Sequence, residues 1–152
     1  MPITTDTSDA VAKLNALLPR ILAGAERGLA SIAPAIEESM QTDPAHGDQS
    51  GAAHASYVVA GAGGGQDTQG ELDFATAVAA DKLDGFTGHE GKAAHVDAPT
   101  LGEYERGLVL ASPVDYAIAL AVEGRSPVLP TLQQFAGAMR DAAAQGIKEA
   151  LA

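Results

Sequence analysis

The residues of this chain that could carry chemistry are a glycine run, four histidines, one serine beside a glycine, and a few paired carboxylates. Gly61-Ala62-Gly63-Gly64-Gly65 has the glycine density of a loop that cradles phosphate. A dinucleotide fingerprint, however, needs a third glycine where Gln66 stands and a helix opening directly after it. A P-loop needs Gly-Lys-Ser/Thr, which the chain lacks. The run therefore reads as a hairpin turn. His89-Glu90 followed by His95 approaches a zinc-hydrolase motif, but two histidines grip one metal from a helix only at a step of four. Here the step is six, among glycines. His46 and His54 could add ring nitrogens, and they read as ordinary polar loop residues. Ser50 lies in Gly47-Asp48-Gln49-Ser50-Gly51, which is not the Gly-x-Ser-x-Gly of a nucleophile elbow. No histidine is placed to serve it as a base held by a carboxylate. Glu37-Glu38 and Glu103/Glu105 fit solvated faces better than a glycosidase pair. With no Cys, a thiolate nucleophile, a disulfide and a Cys zinc site are all excluded. The expectation is a protein without catalytic, cofactor-binding or metal-binding residues, and so not an enzyme.

Composition narrows the classes further. The chain has 152 residues, 46% of them apolar but only 4% aromatic. That length suits one domain that buries roughly two-thirds of its unfolded surface. Ala, Val, Leu and Ile must do the packing, and small side chains each bury little area. Close-packed helices, or a fold completed by neighbouring subunits, suit such a core. Nine basic residues face twenty acidic ones, for a net charge of −11. Tight nucleic-acid binding needs a basic stripe that releases phosphate counterions, and this chain cannot supply a strong one. An acidic surface would instead let DNA slide past without sticking. Met1-Pro2-Ile3-Thr4-Thr5-Asp6 has neither the basic nor the apolar part of a signal peptide. No uncharged apolar run approaches the roughly 18 residues that span a bilayer. A cytoplasm-like setting during assembly, with no membrane partner, is expected.

The elements that must position any site follow from periodicity. Apolar residues at 11, 14, 18, 21, 25, 29, 32, 36 and 40 fall at steps of three and four, which predicts a helix over residues 8–42. Thr7 or Ser8 could cap it, with Asp9 in its first turn. Pro19 predicts a break or kink after Leu18, and Pro34 a second bend. Residues 43–53 read as a polar loop, and residues 54–80 as strands in a hairpin. There Leu72, Phe74, Thr76 and Val78 alternate with Asp73, Ala75 and Ala77, although so much Ala leaves a helix open. Residues 81–104 lack any period and read as a long surface loop. Residues 106–123 predict a strand pair. Both faces of its first strand are apolar (Leu108 and Leu110 against Val109 and Ala111), as in a strand covered by helices. Thr131-Leu132-Gln133-Gln134 fits a capping box for a last helix over residues 131–151. Gly137 and Gly146 weaken that helix but allow another to approach closely. The whole is one α+β domain: a long proline-broken N-terminal helix and a C-terminal helix packed on a small, mostly antiparallel sheet, with a long central loop.

Two short stretches remain that read as one interaction unit: Ser50 to Tyr57, after the long helix, and Pro113 to Ala117, before the last one. Pro44, then Ser50-Gly51-Ala52-Ala53-His54-Ala55-Ser56, resembles a Pro–loop–Thr-Gly-x-Leu-x-x-Ser turn leading into a strand. Tyr116-Ala117 followed by Glu123-Gly124 resembles a later Tyr-Ala strand that ends in Glu and Gly. Pro127-Val128-Leu129-Pro130 resembles the Pro-x-Leu-Pro segment that introduces a final helix. In that order, and over most of the chain, these motifs resemble the small neck and tail-completion proteins of long-tailed bacteriophages, related to the minor tail protein Z family. The chain departs from the pattern in a longer region 64–104, in fewer basic residues on its first helix, and in a Glu123 that lies far from Tyr116 and directly abuts Gly124.

The resemblance implies a structural protein of the virion rather than a catalyst. Subunits would form a homo-oligomeric ring in the neck, meeting a connector or adaptor protein on the head side and a tail terminator or tail tube protein on the tail side. DNA would pass through the lumen without specific binding. The family-like interaction residues are Ser50, Gly51, Ser56, Tyr116, Ala117, Glu123 and Gly124. A tail terminator or head-closure ring is the alternative of similar size and role. A small metal- or ligand-binding domain is a remoter one, favoured only by the histidines.

Overall fold

The computed structural model describes residues 7–42, 55–63, 68–83, 95–112, 114 and 117–152. In chain order these form α1 (Ser8–Thr42), β1 (Val58–Gly63), α2 (Thr68–Leu83), β2 (Arg106–Ala111), α3 (Ala117–Val122) and α4 (Val128–Leu151). The architecture is α+β, with the long first and last helices packed together on one side of a two-stranded antiparallel sheet.

The expected helix over residues 8–42 is present, but the break at Pro19 is not: α1 runs through both Pro19 and Pro34. A proline leaves the carbonyl four residues earlier without its helical partner. Asn15 and Ala30, which carry those carbonyls, are exposed, as are the two prolines. Water can serve the freed groups, so the helix persists. Its buried side at Gly24, Gly28, Leu29, Ile36 and Met40 follows the predicted stripe.

Glycine decides how closely α4 approaches. A Cβ on Gly24 would stand 2.6 Å from the Gly146 carbonyl oxygen and 2.8 Å from the Ile147 Cα. One on Gly28 would run into the backbone of Ala142, and one on Gly146 into the Gly24 carbonyl. The two helices therefore touch backbone to backbone along an antiparallel seam. Gly146 plays the part expected of it, whereas Gly137 faces open space. At the end of the seam Arg20 Nη2 donates to the Ala150 carbonyl at 2.5 Å, satisfying one of the last acceptors of α4.

β1 and β2 pair from Val58↔Ala111 to Gly63↔Arg106. Alternation sorts their side chains onto two faces. Val58, Ala60 and Ala111 pack with Leu72 and Ala79 of α2, with Val96, Ala98 and Val109 beside them. Tyr57, Val59, Leu108 and Leu110 face Ile36 and Met40 of α1 and Val128, Phe135 and Met139 of α4. The sheet is thus covered by helices on both sides, as its two apolar faces predicted. The outer edge of β1 is held by α1: the Val59 N–H donates to Glu37 Oε2 at 3.1 Å, and Gln41 Nε2 donates to the Tyr57 carbonyl at 2.9 Å.

Three expectations are corrected. Residues 68–83 form a helix, not the second strand of a hairpin with β1. Leu72, Ala75 and Ala79 turn inward at helical spacing while Phe74 is 72% exposed, so Ala75, read as a spacer, is a packing residue. A helix thus does open after the glycine run, at Thr68, although the third glycine and the P-loop lysine are still missing. Residues 117–122 form a helical turn and a half rather than the partner of β2, which pairs with β1 instead. Three alanines in that six-residue run favour helix over strand. Finally, the loop expected over residues 81–104 starts later than expected: residues 95–104 have no regular helix or strand, and 84–94 lie outside the described residues. Residues 81–83 end α2, and Gln69 anchors residues 96–98 as a strand would. Gln69 Nε2 donates to the Val96 carbonyl at 2.9 Å, and Gln69 Oε1 accepts from the Ala98 N–H at 2.8 Å.

The last helix also starts earlier than expected, at Val128. Pro127 stands at its N-cap with no side-chain cap, and Thr131 is buried inside the first turn rather than capping it. Pro130 is tolerated there because amides of a first turn have no helical partner to lose. The Thr131 N–H donates to the Pro127 carbonyl at 2.9 Å.

Candidate interaction surface

The first stretch singled out in the sequence meets the residue just before the second. Ser56 Oγ and Ser112 Oγ lie 2.7 Å apart, joining the lead-in to β1 to the exit from β2 across 56 residues of chain. Ser56 is fully buried, and Tyr57 beside it and Val114 are buried as well. These residues form a joint inside the domain rather than a contact surface. Ala117 opens α3, its N–H donating to the Val114 carbonyl at 3.1 Å. Ser50, Gly51 and Tyr116 lie outside the described residues, as do His46, His54 and His89.

Glu123 and Gly124 end α3 on the surface. The Arg125 N–H reaches back to the Leu120 carbonyl at 2.8 Å and the Gly124 N–H to the Ala121 carbonyl at 3.1 Å, the paired bonds of a Schellman stop. Gly124 has φ +70°, a conformation that disfavours any residue with a Cβ. The Glu-Gly pair is therefore a helix terminator that turns the chain toward α4. Glu123 Oε2 pairs with Arg125 Nη1 at 3.2 Å in an exposed position.

The apolar stripe that predicted α1 is buried over only part of its length. Arg20 lies at the last turn of α4, so residues 8–19 project past it by about 18 Å. Residues 7–16 are all exposed, including Val11 (51%) and Leu14 (65%). Asp9 and Lys13 pair across one helical turn at 2.7 Å. At the base of this projection a groove of about 480 Å³ separates α1 from the turn that leads into β2, lined by Leu18, Leu22, Glu26, Glu103, Tyr104 and Arg106 among others. Tyr104 is 62% exposed. Arg106 fixes the wall: its Nε pairs with Glu26, and its Nη1 donates to the carbonyls of Glu103 and Glu105, each at 2.8 Å. The signal that could have found this surface was the length of α1 itself, which exceeds that of α4.

Among the described residues no three His, Cys, Asp or Glu side chains stand close enough to hold a metal ion. His95 is exposed, with Nε2 3.0 Å from Asp97 Oδ1 and Nδ1 3.8 Å from Asp73 Oδ1. No helix among the described residues is long and apolar enough to cross a membrane. The chain matches no family model, no curated protein and no solved structure.

Proposed function

We propose that this protein is a structural component of a tailed bacteriophage virion, a tail-completion subunit that forms part of a ring in the neck between head and tail. What supports the reading is the order in which the motifs follow one another in the sequence, together with the exposed apolar end of α1. Ser56, in the first motif stretch, meets Ser112, the residue just before the second, although the segment after Tyr116-Ala117 is helical where the resemblance gives a strand. Glu123-Gly124 ends the segment after Ala117, and Pro127-Val128-Leu129-Pro130 opens the last helix. A projecting helix and exposed apolar residues fit a subunit whose binding energy is directed at neighbours. The ring would meet a connector on the head side and a tail terminator or tube protein on the tail side. Its acidic charge would let DNA pass through the lumen without being held.

The test is to locate the protein on particles. A C-terminal tag follows Ala152, which is exposed, and immunogold labelling of purified virions should mark the joint between capsid and tail. A null mutant should accumulate filled heads and free tails. Label elsewhere on the particle, or infectious particles from the null, would overturn the reading.

A further inference from the structure

We propose that the cavity between α1 and the outer edge of β1 binds a short, extended peptide with both of its ends charged. The cavity has a volume of about 450 Å³ and an apolar floor that includes Leu29, Ala33, Pro34 and Leu108. Ligand sites combine such a floor with a few placed polar groups. Here the first polar groups are backbone. The Val59 N–H points away from β2, to Glu37, so alternation turns the N–H and carbonyl of Gly61 outward along the same edge. Gly61 lines the cavity, and neither group has a partner among the described residues. A glycine inside a strand marks a place where another backbone can come close.

The remaining polar groups are charged. Of the five charged side chains that line the cavity, three are engaged within the chain: Glu26 with Arg106, and Glu37 with the Val59 N–H and Gln41. Arg27 of α1 and Glu71 of α2 have no hydrogen bond or ion pair among the described residues. The Glu71 carboxylate lies beside Gly61, where an added Cβ would stand 3.1 Å from Oε2. Together these groups select the ligand. A peptide laid along the edge accepts from the Gly61 N–H and donates to the Gly61 carbonyl, as in one hydrogen-bonded pair of a ladder. Its α-ammonium pairs with Glu71. Its carboxylate pairs with Arg27, whose guanidinium can offer two parallel bonds. A side chain between the two ends meets the apolar floor. Glu37 and Gln41 already occupy the edge at Val59 and Tyr57, which stops a long strand. The ligand is therefore about three residues long, one to pair with Gly61 and one on each side to carry charge.

The full chain, isotope-labelled, is titrated with the tripeptide Ala-Leu-Ala and followed at the Gly61 amide by NMR. The Gly61 resonance should move as its N–H gains an acceptor, saturating with a Kd below about 1 mM. Arg27→Gln and Glu71→Gln should each weaken binding about tenfold, the scale of one charge pair at a contact. Circular dichroism should not change in either variant, because both side chains are exposed. The same tripeptide acetylated and amidated at its ends loses both charge contacts and should bind about a hundredfold more weakly. A Gly61 amide that stays in place at about 10 mM peptide overturns the site. So does a blocked peptide that binds as well as the free one, or an affinity that both variants retain.

Discussion

Ser56 and Ser112 show how much one contact between short side chains can organise. The two hydroxyls satisfy each other where the ends of both strands come together, and Ser56 has no access to water. Ser56→Ala should therefore lower stability by about 1–2 kcal/mol in urea denaturation, because Ser112 loses its buried partner. The double change to alanine should lose less than the sum of the single ones, which a mutant cycle reads directly. Tyr57 next door is a buried aromatic in a domain with few, and Tyr57→Ala should remove about 3–5 kcal/mol. The sequence placed Ser56 in a motif, but motif spacing carries no information on burial. Nothing before the fold distinguished an interior joint from a contact residue.

Between elements, the deciding feature is the seam of α1 and α4. Gly28→Ala would force a methyl group into the Ala142 backbone and should destabilise the protein by about 1–3 kcal/mol. Gly137→Ala, on the same helix pair but facing open space, should stabilise it by up to about 1 kcal/mol through helix propensity alone. Thermal unfolding of the two variants separates close packing from propensity, and equal shifts would refute the seam. Long periodic segments were legible: α1, the last helix and β2 announced themselves by steps of three and four or by two apolar faces. Residues 68–83 and 117–122 did not. Alanine counts as a spacer in a strand and as a packing residue in a helix, so an alanine-rich run supports either period until its neighbours choose. The stretch 95–100 was illegible for another reason. Its anchor is the Gln69 side chain, 27 residues away from Val96.

At the scale of the molecule, a small-residue core and a net charge of −11 pull in opposite directions. Native domains keep a margin of only about 5–15 kcal/mol, and a core with few large side chains belongs near the lower end. Self-repulsion erodes it further. Raising sodium chloride from about 20 to about 200 mM should increase the unfolding free energy by about 1 kcal/mol, since screening weakens repulsion between exposed charges. A fall with salt would mean that attractive pairs outweigh the acidic excess. The α+β class was readable from periodicity. The projecting end of α1 was not, because periodicity reports which residues prefer to be covered and says nothing about whose atoms cover them.

Glu37 and Gln41 sit where a third strand would hydrogen-bond along β1. A naked ribbon edge is a template for fibrils, and natural proteins blunt such edges with charge. Here a carboxylate must be evicted before two ribbons can zip together. The folded chain can therefore reach high local concentrations without joining edge to edge.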